Sequence, residues 1–192
     1  MRKFVLVCLI LIGGGVIFGD ALLDSLDAEF MEWKRTYDCS VLFAHLMKLD
    51  SMAMADSDNV EILFRFGRAC SEYGDRCGDD KSALEWLDKG ISALQRVLDL
   101  AGDNYLYHYH LGVCIGRKGK RAGIMRSLFL LKPYDGHLKK SIELNPNYPA
   151  PYIAMGVRYL KVPGIAGGSA KKAKEYLEQA LALDSIWMYM PG

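Results

Sequence analysis

Two short phrases recur along this chain at a nearly fixed interval. The first ends on a glycine: Leu63-Phe64-Arg65-Phe66-Gly67, His108-Tyr109-His110-Leu111-Gly112 and Tyr152-Ile153-Ala154-Met155-Gly156. The second opens on a leucine: Leu94 to Leu100, Leu138 to Leu144 and Leu177 to Leu183. The glycines lie 45 and 44 residues apart, the leucines 44 and 39. Two helical phrases per period of that length mark an array of helix pairs. One pair cannot bury its apolar face alone, so successive pairs must stack. The expected fold is an all-α right-handed solenoid of about eight helices in four antiparallel pairs, behind an N-terminal segment.

The first twenty residues stand apart. Arg2 and Lys3 precede an uncharged run from Phe4 to Phe18, which is followed by Gly19-Asp20-Ala21. A positive start, an apolar middle and small residues near a possible cut describe a signal peptide. The run of 15 residues is short of the ~20 that a spanning helix needs. A cleaved export signal is favoured over an uncleaved anchor through residues 4–18. Cys8 lies inside the apolar run, behind Val7, so a lipoprotein signal does not fit. Residues 21–59 then read as an N-terminal helical pair, a degenerate repeat or a cap. Residues 60–184 hold three repeats with extended connections, and 185–192 form an apolar tail.

Export would leave four cysteines, an even number suited to an oxidising compartment. Cys70 and Cys77 flank a helix end and could meet across the turn; Cys70 and Cys114 could equally be small buried packers. Spacing does not settle the connectivity. Further on, the Asp56-Ser57-Asp58-Asn59 cluster, Asp79 or Asp80, Asn104 and Ser169 each sit where a helix N-cap is needed. Gly116 to Gly123 reads as a basic loop, Ile124 to Leu131 as a short apolar piece, and Pro133 as a break before a helix from Tyr134 to Leu144.

The glycine phrase, the helix carrying Ala173, Leu177 and Ala180, and the Asn145-Pro146 or Asp184-Ser185 stop resemble the tetratricopeptide repeat. Ser127 to Pro133 and Val162 to Ala173 resemble exported bacterial repeat proteins related to the T-component of TRAP-type transporters. Asp56 to Cys70 resembles, more distantly, the regulators of microtubule dynamics. The resemblance runs from about Asp56 to Ser185. It implies a scaffold without catalytic activity, beside a solute-binding protein of an uptake system or as a tethered adaptor.

In such arrays the first helix of each pair lines the inner surface. Steps of three and four from the glycines place Phe64, Arg68, Leu106, Tyr109, Val113, Ile153, Val157 and Leu160 on one face. Only Arg68 among them is a cation, so a clamp for a peptide C-terminus is not expected. A mostly apolar groove suits a hydrophobic small molecule or an apolar segment of a protein partner. It could also be filled by the chain itself, through Trp187 to Met190. A second candidate is the basic patch of Arg117, Lys118, Lys120, Arg121 and Arg126 beside the apolar piece, either a docking patch or a solvated loop.

Other chemistry finds little footing. His110 and Cys114 share a helix face, but a metal site needs a third ligand, and none suggests itself. No cofactor motif, nucleophile elbow or paired acid–base motif occurs, so no catalytic residue is assigned. A net charge of +1 gives no reason to expect nucleic acid as a partner. Membrane contact is expected only through the N-terminal segment, and self-association through the tail remains open. The leading expectation is an exported, periplasmic binding scaffold, with a membrane-tethered adaptor as the alternative.

Overall fold

A computed structural model describes residues 15–187. Residues 1–14 of the signal or anchor segment, and 188–192 of the tail, lie outside it. The expected filling of the groove by Trp187 to Met190 therefore falls outside the described side chains.

The described residues form eight α-helices, one 3-10 turn and no strand. They are α1 (Gly15–Thr36), α2 (Cys39–Ala55), α3 (Val60–Arg76), α4 (Asp80–Ala101), α5 (Tyr105–Arg121), α6 (Ile124–Leu144), α7 (Pro149–Lys161) and α8 (Ala170–Trp187). Each helix packs on the next, and α5 also packs on both α3 and α7. Odd-numbered helices thus line one surface and even-numbered helices the other, the layout of a TPR-like solenoid. Helix α1 runs unbroken from Gly15 through the Gly19–Ala21 stretch.

The helix starts are chemically marked. Side-chain oxygens of Asn59, Asp79 and Asn104 accept from the amides of Ile62 (3.2 Å), Ser82 (2.9 Å) and Leu106 (2.8 Å). Ser169 accepts from Lys172 at 3.3 Å. Each bond satisfies an amide that the first helical turn leaves without a partner. Helix α7 instead opens on Pro149, where the missing N–H costs nothing.

The recurrent phrases meet in space. A Cβ built on Gly67 would lie 2.5 Å from Leu94 Cγ, and one on Gly156 2.6 Å from Leu177 Cγ. At Gly112 the distance to Leu138 Cδ2 would be 3.0 Å. The glycine of each first helix is therefore the socket for the leucine of the second. Leu94 and Leu138 are fully buried there. The pair α1–α2 has no such glycine and uses bulk instead. Leu26, Phe30 and Trp33 pack with Leu42, Leu46 and Leu49 against Ile62, Leu63 and Phe66 of α3.

Three expectations need correction. Cys77 pairs with Cys39, not with Cys70. Cys70 and Cys77 belong to one helix and its C-cap, about 10 Å apart along the axis at 1.5 Å per residue, beyond disulfide reach. Cys70 and Cys114 are buried free thiols beside Gly90. The bridge ties the start of α2 to the end of α3 across 38 residues, worth about 4 kcal/mol by loop-closure entropy.

The stretch from Gly116 to Gly123 is not a loop, because α5 continues to Arg121. Its Gly116 serves close approach: a Cβ there would lie 2.5 Å from the Tyr134 ring. Pro133 does not begin a new element but sits inside α6. The ladder bond it lacks would have gone to the Phe129 carbonyl, on a turn where Phe129 is 78% exposed and water can serve that oxygen.

The connection from α7 to α8 is tight. Gly168 approaches the Val162 carbonyl so closely that a Cβ would sit 1.7 Å from it, which no other residue could accept. Arg158 holds this connection by donating to the Gly167 carbonyl at 2.7 Å and pairing in bidentate fashion with Asp135 at 3.0 and 2.9 Å.

The socket geometry sets opposite expectations for two glycines. Gly67→Ala should destabilise the fold by about 1–3 kcal/mol, because Leu94 must move. A Cβ on Gly136, within α6, would meet nothing within 4 Å, so Gly136→Ala should stabilise by about 0.4–1 kcal/mol. Denaturant midpoints of the two variants measure both.

Candidate functional site

The odd-numbered helices bring the expected groove residues to one surface, but with two different characters. On α7, Ile153, Val157 and Leu160 are 48%, 39% and 59% exposed. Three bulky apolar side chains in steps of four and three leave an open aliphatic row. On α3 and α5, Phe64, Arg68, Leu106, Tyr109 and Val113 are half-buried and set among aromatic rings.

That aromatic part is continuous. The Arg68 guanidinium lies 4.9 Å from the Phe30 ring centre and 5.6 Å from that of Phe64. Phe64 contacts Tyr107 at 5.1 Å and His110 at 5.2 Å. His110 contacts Tyr109 at 5.0 Å, and Tyr109 meets Tyr148 edge-on at 5.3 Å. Lys34 of α1 adds a second cation, 5.3 Å from the Phe30 ring centre.

Burial governs the titration of these groups. It lowers Arg68 below the ordinary guanidinium value. It drives His110 down to about 3, helped by the charges of Arg68, Arg117 and Lys34. It raises Tyr109, and it raises Tyr148 to about 12. The imidazole is thus neutral and the phenols are protonated across the physiological range.

The basic patch has a structural explanation. Arg117 donates to Ser71 Oγ at 2.8 Å and pairs with Glu72 at 2.9 Å. Lys120 pairs with Asp75 at 2.8 Å, and Lys118 with Asp88. Arg121 donates to the Gly74 and Asp75 carbonyls at 3.1 and 2.9 Å and pairs with Asp80 at 2.8 Å. Burial alone would raise Asp75, but Lys120, Arg117 and Arg76 outweigh it and hold the carboxyl below its usual range. Arg121 caps the last carbonyls of α3, and the ion pairs staple α5 to both α3 and α4. Arg126 differs: it is exposed and lines a cavity of about 350 Å³ with Leu84, Asp88, Phe129 and Leu130. A larger cavity, about 540 Å³, lies between α6, α7 and α8, with Ile142, Tyr152, Tyr159 and Tyr176 among its walls. Neither cavity contains a residue of the concave face.

Comparison with known proteins now places the chain. The family model described as "Regulator of microtubule dynamics protein 1-3" matches residues 28–162. The chain belongs to this family. Every concave-face residue named above, from Phe30 to Leu160, falls inside the matched span. Two crystal structures of MamA are similar in fold. One is 21% identical at a TM-score of 0.40, covering 82% of this chain and 95% of that one. The other is 19% identical at 0.39, covering 88% and 96%. None of the curated proteins matches. Of the two narrower resemblances in the sequence, the more distant one is thus the one that the family match supports.

Reading outward from the glycines missed Phe30, Lys34, Tyr107, His110 and Tyr148 as wall residues of this regulator-family chain. Phe30 and Lys34 lie on α1, which carries no glycine phrase to set a register. Tyr148 precedes α7 and is outside any helical count. His110 was legible only as half of a metal pair. His108, two residues away, faces elsewhere, with His137 at 2.9 Å and Asp103 at 3.1 Å.

The depressed His110 pKa fixes a sign. The unfolded chain takes up a proton near pH 6.5 and the native imidazole only near 3. Between these values the unfolded state binds more protons, so stability falls as pH drops through the window. His110→Phe should remove that share of the slope. Its stability relative to the parent should rise from pH 7 to pH 5 by no more than about 1.4 kcal/mol per pH unit, read from urea unfolding.

Proposed function

We propose that this regulator-family chain is an exported, non-catalytic scaffold that receives a segment of a protein partner on its concave face. The observation that carries this is the open aliphatic row Ile153, Val157 and Leu160, continuing the aromatic wall of α3 and α5. An open row beside rings suits an extended or helical segment, whereas a small hydrophobic molecule needs enclosure. The two cavities described above lie away from this face, which favours a protein over a small ligand. A solute-binding protein of a TRAP-type system is one partner compatible with export.

The Cys39–Cys77 bridge supports residence in an oxidising compartment. A chain held there does not share a compartment with microtubules, so the family's fold carries over while the partner in its description does not. A membrane-tethered adaptor is the second reading. It is favoured by α1 running unbroken from Gly15 into the first repeat, as expected for a helix continuing out of the apolar segment.

Two measurements test the proposal. A photo-crosslinking residue at Val157 should yield one discrete protein adduct in the source cells. The same residue at Ser92, exposed on α4, should not. Equal adducts from both positions, or none from position 157, would overturn the groove reading. Intact mass under non-reducing conditions should show a chain beginning near residues 20–22 and lacking two hydrogens for the disulfide. A full-length mass selects the tethered form, and a fully reduced one sinks export.

A further inference from the structure

We infer that Arg68 and Lys34, each lying over the Phe30 ring, form an anion-accepting subsite that takes an acidic side chain of a partner segment whose apolar residues continue onto α7. The inference deepens the groove reading and rests on it.

Charge pairing sets Arg68 apart. Arg65, Arg117, Arg121 and Arg158 each hold a carboxylate at 2.7 to 2.9 Å. Arg68 holds none and makes no hydrogen bond among the described residues, although it is half-buried; it rests on two phenylalanine rings instead. The nearest acids are committed elsewhere. Asp27 binds Arg65 at 3.1 and 2.7 Å, and Glu72 binds Arg117 at 2.9 Å and Arg76 at 3.4 Å. Lys34 likewise has only the Phe30 ring among the described residues.

Neutral polar groups line the wall that starts at Arg68. The His110 imidazole and the hydroxyls of Tyr109 and Tyr148 have no hydrogen-bond partner among the described residues, whereas Tyr134 and Tyr152 donate to backbone carbonyls at 2.9 and 3.0 Å. A planar guanidinium fixed on rings is pre-organised for a carboxylate, and the neighbouring phenols can donate to the same anion. The occupant is set by what adjoins the subsite. Tyr148 leads directly into α7, whose Ile153, Val157 and Leu160 are exposed. A free small anion would leave that row bare, while a peptide with one acid followed by bulky apolar residues covers both.

Phage-displayed random peptides, fused through their C-termini so that no terminal carboxylate is offered, are selected on the protein purified from its own cells. The expected pool carries Asp or Glu with apolar residues to one side. Synthetic members should lose about tenfold or more in affinity when the acid is replaced by its amide, as for one hydrogen bond to a charged group. Arg68→Gln should abolish that discrimination and keep the apolar preference, and Arg68→Lys should keep part of the discrimination. If Arg68→Gln fails to fold, the acid-to-amide comparison on the unaltered protein still decides. An apolar pool without acid preference, or a preference undiminished in Arg68→Gln, overturns this subsite and leaves the groove reading standing. Enrichment of nothing overturns both.

Discussion

The seating of one leucine in one glycine per helix pair is the contact on which the rest of the solenoid depends. A Cβ at Gly67, Gly112 or Gly156 would reach to within 3.0 Å or less of the facing leucine, so the backbones approach more closely than any other residue would allow. Close approach fixes the rotation of each pair about its axes. Rotation decides which side chains of α3, α5 and α7 face outward, and a concave face with a defined residue set follows. The glycine therefore shapes that face without contributing a side chain to it.

The second constraint is electrostatic. Arg117, Arg121 and Lys120 gather on the end of α3 and the start of α4 through Glu72, Asp75 and Asp80, while Arg158 ties α6 to the connection leading into α8. Ion pairs exposed on a surface contribute little, but bidentate and half-buried pairs that also cap helix carbonyls contribute more. This pairing neutralises most of the stretch that looks most basic in the sequence. Arg68 and Lys34 stay unneutralised on the concave face, in a part of the chain with no charge run at all. Local charge density in the sequence was thus a poor guide to which cations stay unpaired.

Most of the architecture is legible in the sequence because it rests on local rules. Period, cap residues and helix-forming composition fixed helix number and most boundaries. The failures share a cause: a residue type with two physical meanings. Gly116 and Gly119 read as breakers, yet Gly116 admits Tyr134. Pro133 read as a stop, yet an exposed turn tolerates it within α6. Cys77 has neighbours near in sequence, but its partner Cys39 comes from another helix pair, and no spacing rule joins them. The groove was half legible. The register from each glycine found Phe64, Arg68 and Tyr109, while the ring contacts that make them one wall involve α1 and Tyr148, which have no register to count from.

Buried polar groups usually find partners, and those that do not mark places where stability has been given up. Trp33 Nε1 is the fully buried case among the described residues; Arg68 is a half-buried one, resting on rings but holding no carboxylate. Desolvation lowers its pKa, and replacing it with an apolar side chain between Phe30 and Phe64 would relieve that penalty at once. The contacts with the Phe30 and Phe64 rings offset part of that penalty but supply no counter-charge. In the proposed subsite, an anion from outside the chain would recover the remainder. His110 is held neutral by the same burial and by the charges of Arg68, Arg117 and Lys34, so in the proposed subsite it would offer one donor or acceptor and no charge.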